Sequence, residues 1–277
     1  MILHIHTALW NQTWDDDVVP FVEAAARAGY GGVEVSLLGD AEGFARVRRR
    51  AEQLGLTVSA TTGLSPATDI GSHDPVVREH GRAALLEAIA ATEILGARQL
   101  SGVIYGAWGV HDPTRRSERW AYAVEALRSV APAARDAGIT LGIEAINRYE
   151  TDLVNTGEQA CAMAAEVGAA SVGVLLDAYH MNIEEKDMAG AIRHAGNALV
   201  HLHVAGRDRG VPQADWLRNT GIRDALHDIG YEGLVTCEMF VQANVAVSED
   251  LTVWRPIEAD VNEAALAAHR EVQAWLS

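Results

Sequence analysis

Short apolar runs of strand length alternate with longer segments of helical period along all 277 residues. The runs Ile2–Thr7, Gly32–Val35, Thr57–Thr61, Arg98–Ser101, Thr140–Glu144, Val172–Asp177, Leu199–Val204 and Leu234–Glu238 predict eight strands. Ala- and Leu-rich stretches between them predict helices over Val18–Ala28, Val76–Leu95, Arg116–Ala137, Gly157–Val167, Met188–Ala195 and Asn219–Ile229. Such alternation builds βαβ units and a parallel sheet. Glycines 29, 55, 96, 138, 168 and 230 punctuate six helix-to-strand junctions, where the left-handed residue after a helix carries little steric cost without a Cβ. Eight strands at about thirty residues per unit match an α/β fold of the (β/α)8 TIM-barrel type, one domain over residues 1–277. An open doubly wound sheet also uses parallel strands, but no GxGxxG or Walker loop follows the first run.

Composition narrows the function. The chain is 49% apolar and 22% charged, enough to build a large core, and its formal net charge is −16. That balance repels phosphate backbones and anionic membranes, so neither nucleic acid nor a membrane is expected as a partner. The one basic cluster, Arg46 to Arg50, falls in a helical stretch and reads as a solvated face. Two cysteines far apart, Cys161 and Cys237, form no disulfide framework and no CxxC, which fits a reducing compartment. The start, Met1 to His6, lacks the marks of a signal peptide, and no run approaches the roughly 20 apolar residues of a membrane span. A cytoplasmic protein is the expectation.

In a barrel of this type the active site lies at the carboxyl ends of the strands, so polar residues that end apolar strands are the candidates. Strand five ends in Glu144, strand six in Asp177, strand seven in His201-Leu-His203 and strand eight in Glu238. Spacings of 33, 26 and 35 residues between Glu144, Asp177, His203 and Glu238 are each about one βα unit, so the four side chains should converge above the barrel axis. Unpaired, each buried charge would cost several kcal/mol, and three carboxylates so close would repel. A divalent cation resolves both problems, and a carboxylate/imidazole set suits Mn²⁺, Mg²⁺, Co²⁺ or Zn²⁺. His201 and His203 share a strand face; the outer His203 should reach the metal, while His201 reads as a satisfied interior histidine. His180, three residues past Asp177, is expected in the loop, placed to touch a substrate. Glu34 ends strand two, where a pocket role and a helix-facing or capping role are equally open. Cys237 precedes Glu238 and should face the covering helices, and Thr156 reads as the N-cap of helix five.

The stretches Ile143-Glu-Ala-Ile-Asn-Arg-Tyr-Glu150, Leu176-Asp-Ala-Tyr-His-Met-Asn-Ile-Glu-Glu185, His201-Leu-His-Val-Ala-Gly-Arg-Asp-Arg209 and Cys237-Glu-Met-Phe240 resemble the ketose 3-epimerases. That group is the tagatose/psicose (allulose) 3-epimerase branch of the xylose isomerase-like sugar isomerases and epimerases. The resemblance extends to Trp14, to Tyr105-Gly-Ala-Trp108 after strand four and to Val253-Trp-Arg255, and so spans essentially the whole chain. It implies that Glu144, Asp177, His203 and Glu238 bind a catalytic Mn²⁺, with Mg²⁺ or Co²⁺ as alternatives. It implies that Glu150, His180 and Arg209 hold the O1–O2 end of a small-molecule sugar, with Trp14 and Trp108 as the apolar wall; either tryptophan alone would read as core. It implies that Glu144 and Glu238 are the two bases that remove and return the C3 proton through a cis-enediolate, whose charge a metal stabilises by several kcal/mol. A homodimer or homotetramer is the implied assembly.

Several positions depart from the family pattern. Gly210-Val-Pro-Gln-Ala-Asp215 looks shorter than the family's Pro-Gly-x-Gly loop, and Asp208 stands where asparagine is usual. Met239 replaces proline, Asn244-Val-Ala-Val replaces a glycine-rich run, and His4 and His6 stand where aromatics are common. None is a proposed metal ligand, yet all bear on substrate choice. Alternatives on the same barrel are aldose–ketose, hydroxypyruvate or inosose isomerases and dehydratases. A DNA-repair endonuclease, which needs a histidine-rich multi-metal cluster and a basic face, is disfavoured by the net charge, and a non-catalytic sugar- or metal-binding protein by the intact base carboxylates.

Overall fold

The computed structural model describes residues 1–277. Strands β1 (Ile2–His6), β2 (Gly32–Ser36), β3 (Thr57–Leu64), β4 (Gln99–Ala107), β5 (Thr140–Ala145), β6 (Val172–Asp177), β7 (Leu199–Val204) and β8 (Leu234–Cys237) pair in chain order. All neighbours are parallel, and β1 pairs with β8 to close the ring. Helices α1 (Val19–Ala28), α2 (Ala41–Leu54), α3 (Pro75–Leu95), α4 (Arg116–Asp136) and α5 (Gly157–Val167) surround it, followed by α6 (Ala178–Glu184), α7 (Met188–Ala195), α8 (Ala214–Asn219), α9 (Ile222–Asp228), α10 (Ala246–Asp250) and α11 (Val261–Leu276). The chain is a single-domain TIM barrel, as the periodicity predicts.

Period-two alternation divides each strand between two environments. Leu3, Ile5, Val33, Val35, Leu202 and Val235 belong to the main apolar core beneath the helices. Their neighbours His4, Glu34, Ser59, Ser101, His201, His203 and Thr236 are buried yet polar, with hydrogen bonds inside the barrel joining His4 to Ser59, Ser59 to Glu34 and His201 to Thr236. Cys237 is buried on the helix side, as expected. The six junction glycines all take positive φ, for example +92° at Gly29 and +70° at Gly55. Thr156 caps α5 by accepting the Gln159 N–H, and Asp40, Asp74, Asp187 and Asp260 do the same for their helices.

Four differences from the predicted elements matter for the site. β3 and β4 run on to Leu64 and Ala107, well past the expected ends at Thr61 and Ser101, and raise one wall of the barrel mouth. Tyr105 therefore lies within β4, and Trp108 immediately follows it. The close approach of β3 and β4 demands a glycine: a Cβ on Gly102, at φ +124°, would sit 2.2 Å from the Thr62 carbonyl oxygen. His180 lies in the short helix α6, not in a loop, because Asp177 caps that helix by accepting the Tyr179 N–H at 2.9 Å. The predicted helix Asn219–Ile229 is the shorter α9, which starts only at Ile222 because Gly221, at φ +71°, separates it from the preceding α8. Past β8 the chain folds back over the mouth, where Phe240, Val247 and Val253 pack with Ala8 and Trp14 in a small apolar cluster of their own. The basic run Arg46–Arg50 lies in α2, where Arg46, Arg48 and Arg50 pair with Asp17, Glu52 and Glu23.

Candidate active site

The barrel closure brings Glu144, Asp177, His203 and Glu238 together: all four are buried, and their donor atoms lie within 4.8 Å of one another. Glu144 sits near the end of β5, Asp177 ends β6, His203 is next to last in β7 and Glu238 stands one residue past β8. His203 Nδ1 faces the carboxylates, 3.5 Å from Glu238 Oε1 and 3.9 Å from Glu144 Oε1. Neither that nitrogen nor Asp177 Oδ2 has a hydrogen-bond partner, although both are fully buried.

The electrostatics single out the same point. Burial, reinforced by the neighbouring Glu238 charge, raises the Glu144 carboxyl well above its usual range. The same two causes push Asp177 up to about 6. Burial acts upward on Glu238 too, but His203, His6 and Arg209 outweigh it and hold this carboxylate well below the usual range. His203 is driven above its ordinary value, because Glu34 and Glu238 overcome a desolvation that favours the neutral ring. Three buried carboxylates around an unpartnered imidazole nitrogen are unfavourable by themselves and well matched to a divalent cation. The donor set fits such an ion.

A second group lines the cavity beside the quartet. Asn147 donates both its backbone N–H (3.1 Å) and its side-chain Nδ2–H (2.9 Å) toward His180 Nδ1. That amide is oriented by its other contacts: Oδ1 accepts from the Tyr149 N–H and Nδ2 donates to Glu150 Oε1 at 2.7 Å. His180 Nδ1 must therefore present its lone pair, which puts the proton on Nε2. Yet Nε2 lies 3.0 Å from Arg209 Nη2, itself a donor only. The Arg209 N–H is directed at Nε2 itself, so two donors meet on the cavity lining and neither has an acceptor, an arrangement that a ligand oxygen would relieve. Burial and the Arg209 charge pull the His180 pKa down to about 3, so the ring stays neutral. Glu150 is held below the usual carboxylate range despite burial, chiefly by Arg209 and His180. The Arg209 guanidinium lies between the Tyr179 and Phe240 rings, 4.4 and 4.9 Å from their centroids.

These groups open into a cavity of about 460 Å³, large enough for a small sugar and floored by Glu144, Glu238 and His180. Trp14 and Trp108 both line it, with Phe240, Leu251 and Ile146. Trp108 is more than wall, since its Nε1–H donates to Glu150 Oε2 at 2.9 Å; Trp14 bonds to Asp250 in the covering segment at 2.8 Å. Every residue that the resemblance assigns to metal or sugar therefore lines this cavity or belongs to the quartet at its base. His201 is inside the barrel, bonded to Thr236 Oγ1 at 2.7 Å. Glu34 neither caps a helix nor faces one: it lies fully buried beneath the quartet, against His201 and His203. Two contributors were assigned no place in the site from the sequence. Asn147 stands at i+3 from both Glu144 and Glu150, a spacing that could have flagged it. His6, at the end of β1, lines the cavity, and its Nδ1 accepts the Ala8 N–H at 3.2 Å, so that Nε2 carries the proton near Ser36 Oγ.

The buried carboxylate/imidazole quartet lies at the carboxyl ends of the strands of a closed parallel barrel, where TIM-barrel enzymes carry their active sites. The model of the xylose isomerase-like TIM barrel family matches residues 22–259, and the chain belongs to that family. Within it, the chain is 32% identical to a D-psicose 3-epimerase of Ruminiclostridium cellulolyticum, over 98% of this chain and 94% of the relative. It is 35% identical to a ketose 3-epimerase of Arthrobacter globiformis, over 97% of this chain and 94% of that one. Among solved structures, a D-psicose 3-epimerase crystallised in the presence of D-fructose superposes with a TM-score of 0.93 at 31% identity, covering 100% of this chain and 99% of that one. A D-allulose 3-epimerase of Methylomonas sp. in complex with D-allulose gives 0.90 at 33% identity, covering 99% and 96%. No helix is long and apolar enough to cross a membrane.

Proposed function

We propose that this chain epimerises a free 2-ketose at C3, of the D-tagatose, D-psicose, D-fructose or L-ribulose type. The observation that carries the reading is the placement of Glu144 and Glu238, three strands apart around the ring yet meeting at the cavity floor beside a donor pair that lacks an acceptor. The names of the relatives support the same reaction class. A divalent cation held by Glu144, Asp177, His203 and Glu238, Mn²⁺ with Mg²⁺ or Co²⁺ as alternatives, would supply Lewis-acid polarisation of the ketone and stabilise developing negative charge.

The remaining chemistry belongs to side chains. Arg209 and the His180 Nε2–H donate to the O1–O2 end of the sugar, while Glu150, braced by Trp108 and Asn147, accepts a hydroxyl proton. Glu238 takes the C3 proton from one face, and Glu144, acting as the acid, returns one to the opposite face. The roles exchange in the reverse direction. Between the steps the sugar is a cis-enediolate, and the Arg209/His180 donor pair stabilises its charge. The aromatic wall of Trp14, Trp108 and Phe240 limits water, which protects the proton while it is on the carboxylate. A cytoplasmic homodimer or homotetramer without nucleic-acid or membrane partners fits the family resemblance and the net charge of −16.

The test is product analysis by chromatography, with protein stripped by EDTA and then assayed with and without Mn²⁺ on each ketose. Formation of the C3 epimer only with metal supports the reading. An aldose product would replace it with an aldose–ketose isomerase. Turnover of inososes or hydroxypyruvate alone would move the chain to those reactions on the same barrel.

A further inference from the structure

The polar residues beneath the quartet take no part in the proton transfers above, yet they are among the most completely buried in the chain. Glu34 has no solvent exposure. Its Oε1 lies 2.8 Å from His203 Nε2 and its Oε2 lies 3.2 Å from His201 Nε2. Ser59 Oγ donates to the same Oε2 at 3.1 Å. Ser59 is in turn 2.9 Å from His4 Nδ1, and His4 Nε2 is 2.7 Å from Thr57 Oγ1. A chain of side chains from β1, β2 and β3 thus holds one carboxylate oxygen and presents the other to His203. A carboxylate is among the least favourable groups a barrel interior can hold, so its partner has to account for it.

We propose that Glu34 is the positioning residue for His203: its carboxylate accepts the Nε2–H and so turns the Nδ1 lone pair toward Glu144, Asp177 and Glu238. The inference rests on the reading of that quartet as a cation site. A neutral imidazole offers one lone pair and one N–H, and only one assignment serves a ligand. His203 Nδ1 is the nitrogen that faces the quartet oxygens, and no donor reaches it. Glu34 Oε1 and His203 Nε2 approach to 2.8 Å off the line of a linear hydrogen bond, and neither atom has another hydrogen-bond partner. The proton therefore belongs on Nε2, between His203 and Glu34. Partners of this kind fix the ring's tautomer and orientation and raise its basicity, and their loss typically costs about 10- to 100-fold in metal affinity. His4 and Ser59, which the proposed reaction leaves unused, gain a purpose as the support of Glu34.

Glu34→Gln keeps the shape and removes the charge. Calorimetric titration of the metal-free protein with Mn²⁺ is expected to give a Kd about 10- to 100-fold higher than wild type. The visible absorption of the Co²⁺ form should change as well, while the melting temperature in EDTA stays within a few degrees. An unchanged Kd together with an unchanged Co²⁺ spectrum would overturn the proposal. The tautomer is also readable without any substitution, by ¹⁵N NMR of histidine-labelled wild type loaded with Zn²⁺. A ring proton on His203 Nε2 supports the assignment, and a proton on Nδ1 overturns it even if the variant does not fold. Wild type that takes up none of these metals defeats the cation reading itself; wild-type uptake matched by E34Q defeats only the role of Glu34.

Discussion

Arg209 carries a prediction whose size can be worked from its surroundings. Its guanidinium lies between the Tyr179 and Phe240 rings, 3.0 Å from a nitrogen that must be a donor and 3.9 Å from Glu150 Oε1. Two unit charges at that separation interact by about 4 kcal/mol at an effective dielectric constant of about 20. Arg209→Ala removes this charge and leaves Glu150 without the partner that most lowers its pKa. It also deletes one of two preorganised donors for the sugar oxygen, and loss of one such donor elsewhere costs about 100- to 1000-fold in rate. We expect R209A to lower kcat/KM for a ketose by about that factor, with kcat bearing most of the loss because the oxygen's charge grows in the transition state. Arg209→Lys keeps the charge but not the flat, stacked fork, and should recover only about tenfold of it. Initial rates of epimer formation, with circular dichroism as the check on folding, give both numbers. An R209A enzyme within about threefold of wild type would refute the donor-pair reasoning.

Three further outcomes follow from other residues. Glu144→Gln and Glu238→Gln, assayed at saturating Mn²⁺, should each lose about 100- to 10,000-fold in C3 proton exchange while sugar still binds by calorimetry; turnover retained in either would refute the two-base scheme. Trp108→Phe keeps the apolar wall but removes the hydrogen bond to Glu150, and should raise KM about tenfold with little change in kcat; an unchanged KM would make Trp108 wall alone. Burial pushes His4 down to about 4 from its ordinary 6.5, so the unfolded chain binds a proton before the folded chain does. Stability is therefore full above about pH 6.5 and declines as pH falls toward 4, by about 3 kcal/mol for this residue. Urea unfolding at pH 7 and pH 4.5 should show that decline reduced in His4→Gln, and an equal decline in both proteins would contradict it.

The barrel and the quartet were legible because both rest on periodicity. Alternating strands and helices fix the topology, and Glu144, Asp177, His203 and Glu238 recur in step with it. The aromatic wall and the substrate group came from the family resemblance, and Trp14, Trp108, Glu150, His180 and Arg209 do line one cavity. What remained hidden depends on contacts between distant segments. Whether Glu34 faced outward or inward could not be decided until β2 lay beside the histidines of β7 in the closed barrel. The hydrogen bonds of Asn147 that fix the His180 proton cross from the β5 loop to α6. The extension of β3 beyond Thr61 opens with Thr62 and Gly63, which carry no apolar signal, and that of β4 beyond Ser101 opens with Gly102, whose positive φ lets the two backbones close.

Deuterium uptake at C3 separates the central claim from its neighbours. Metal-free protein is mixed in D₂O with D-psicose, D-tagatose, D-fructose or L-ribulose, Mn²⁺ is added, and the proton spectrum is followed. C3 deuteration that begins with the metal and accompanies formation of the 3-epimer is the expected result. Deuterium at C1 with an aldose product, or no exchange at any carbon of any ketose, would contradict it.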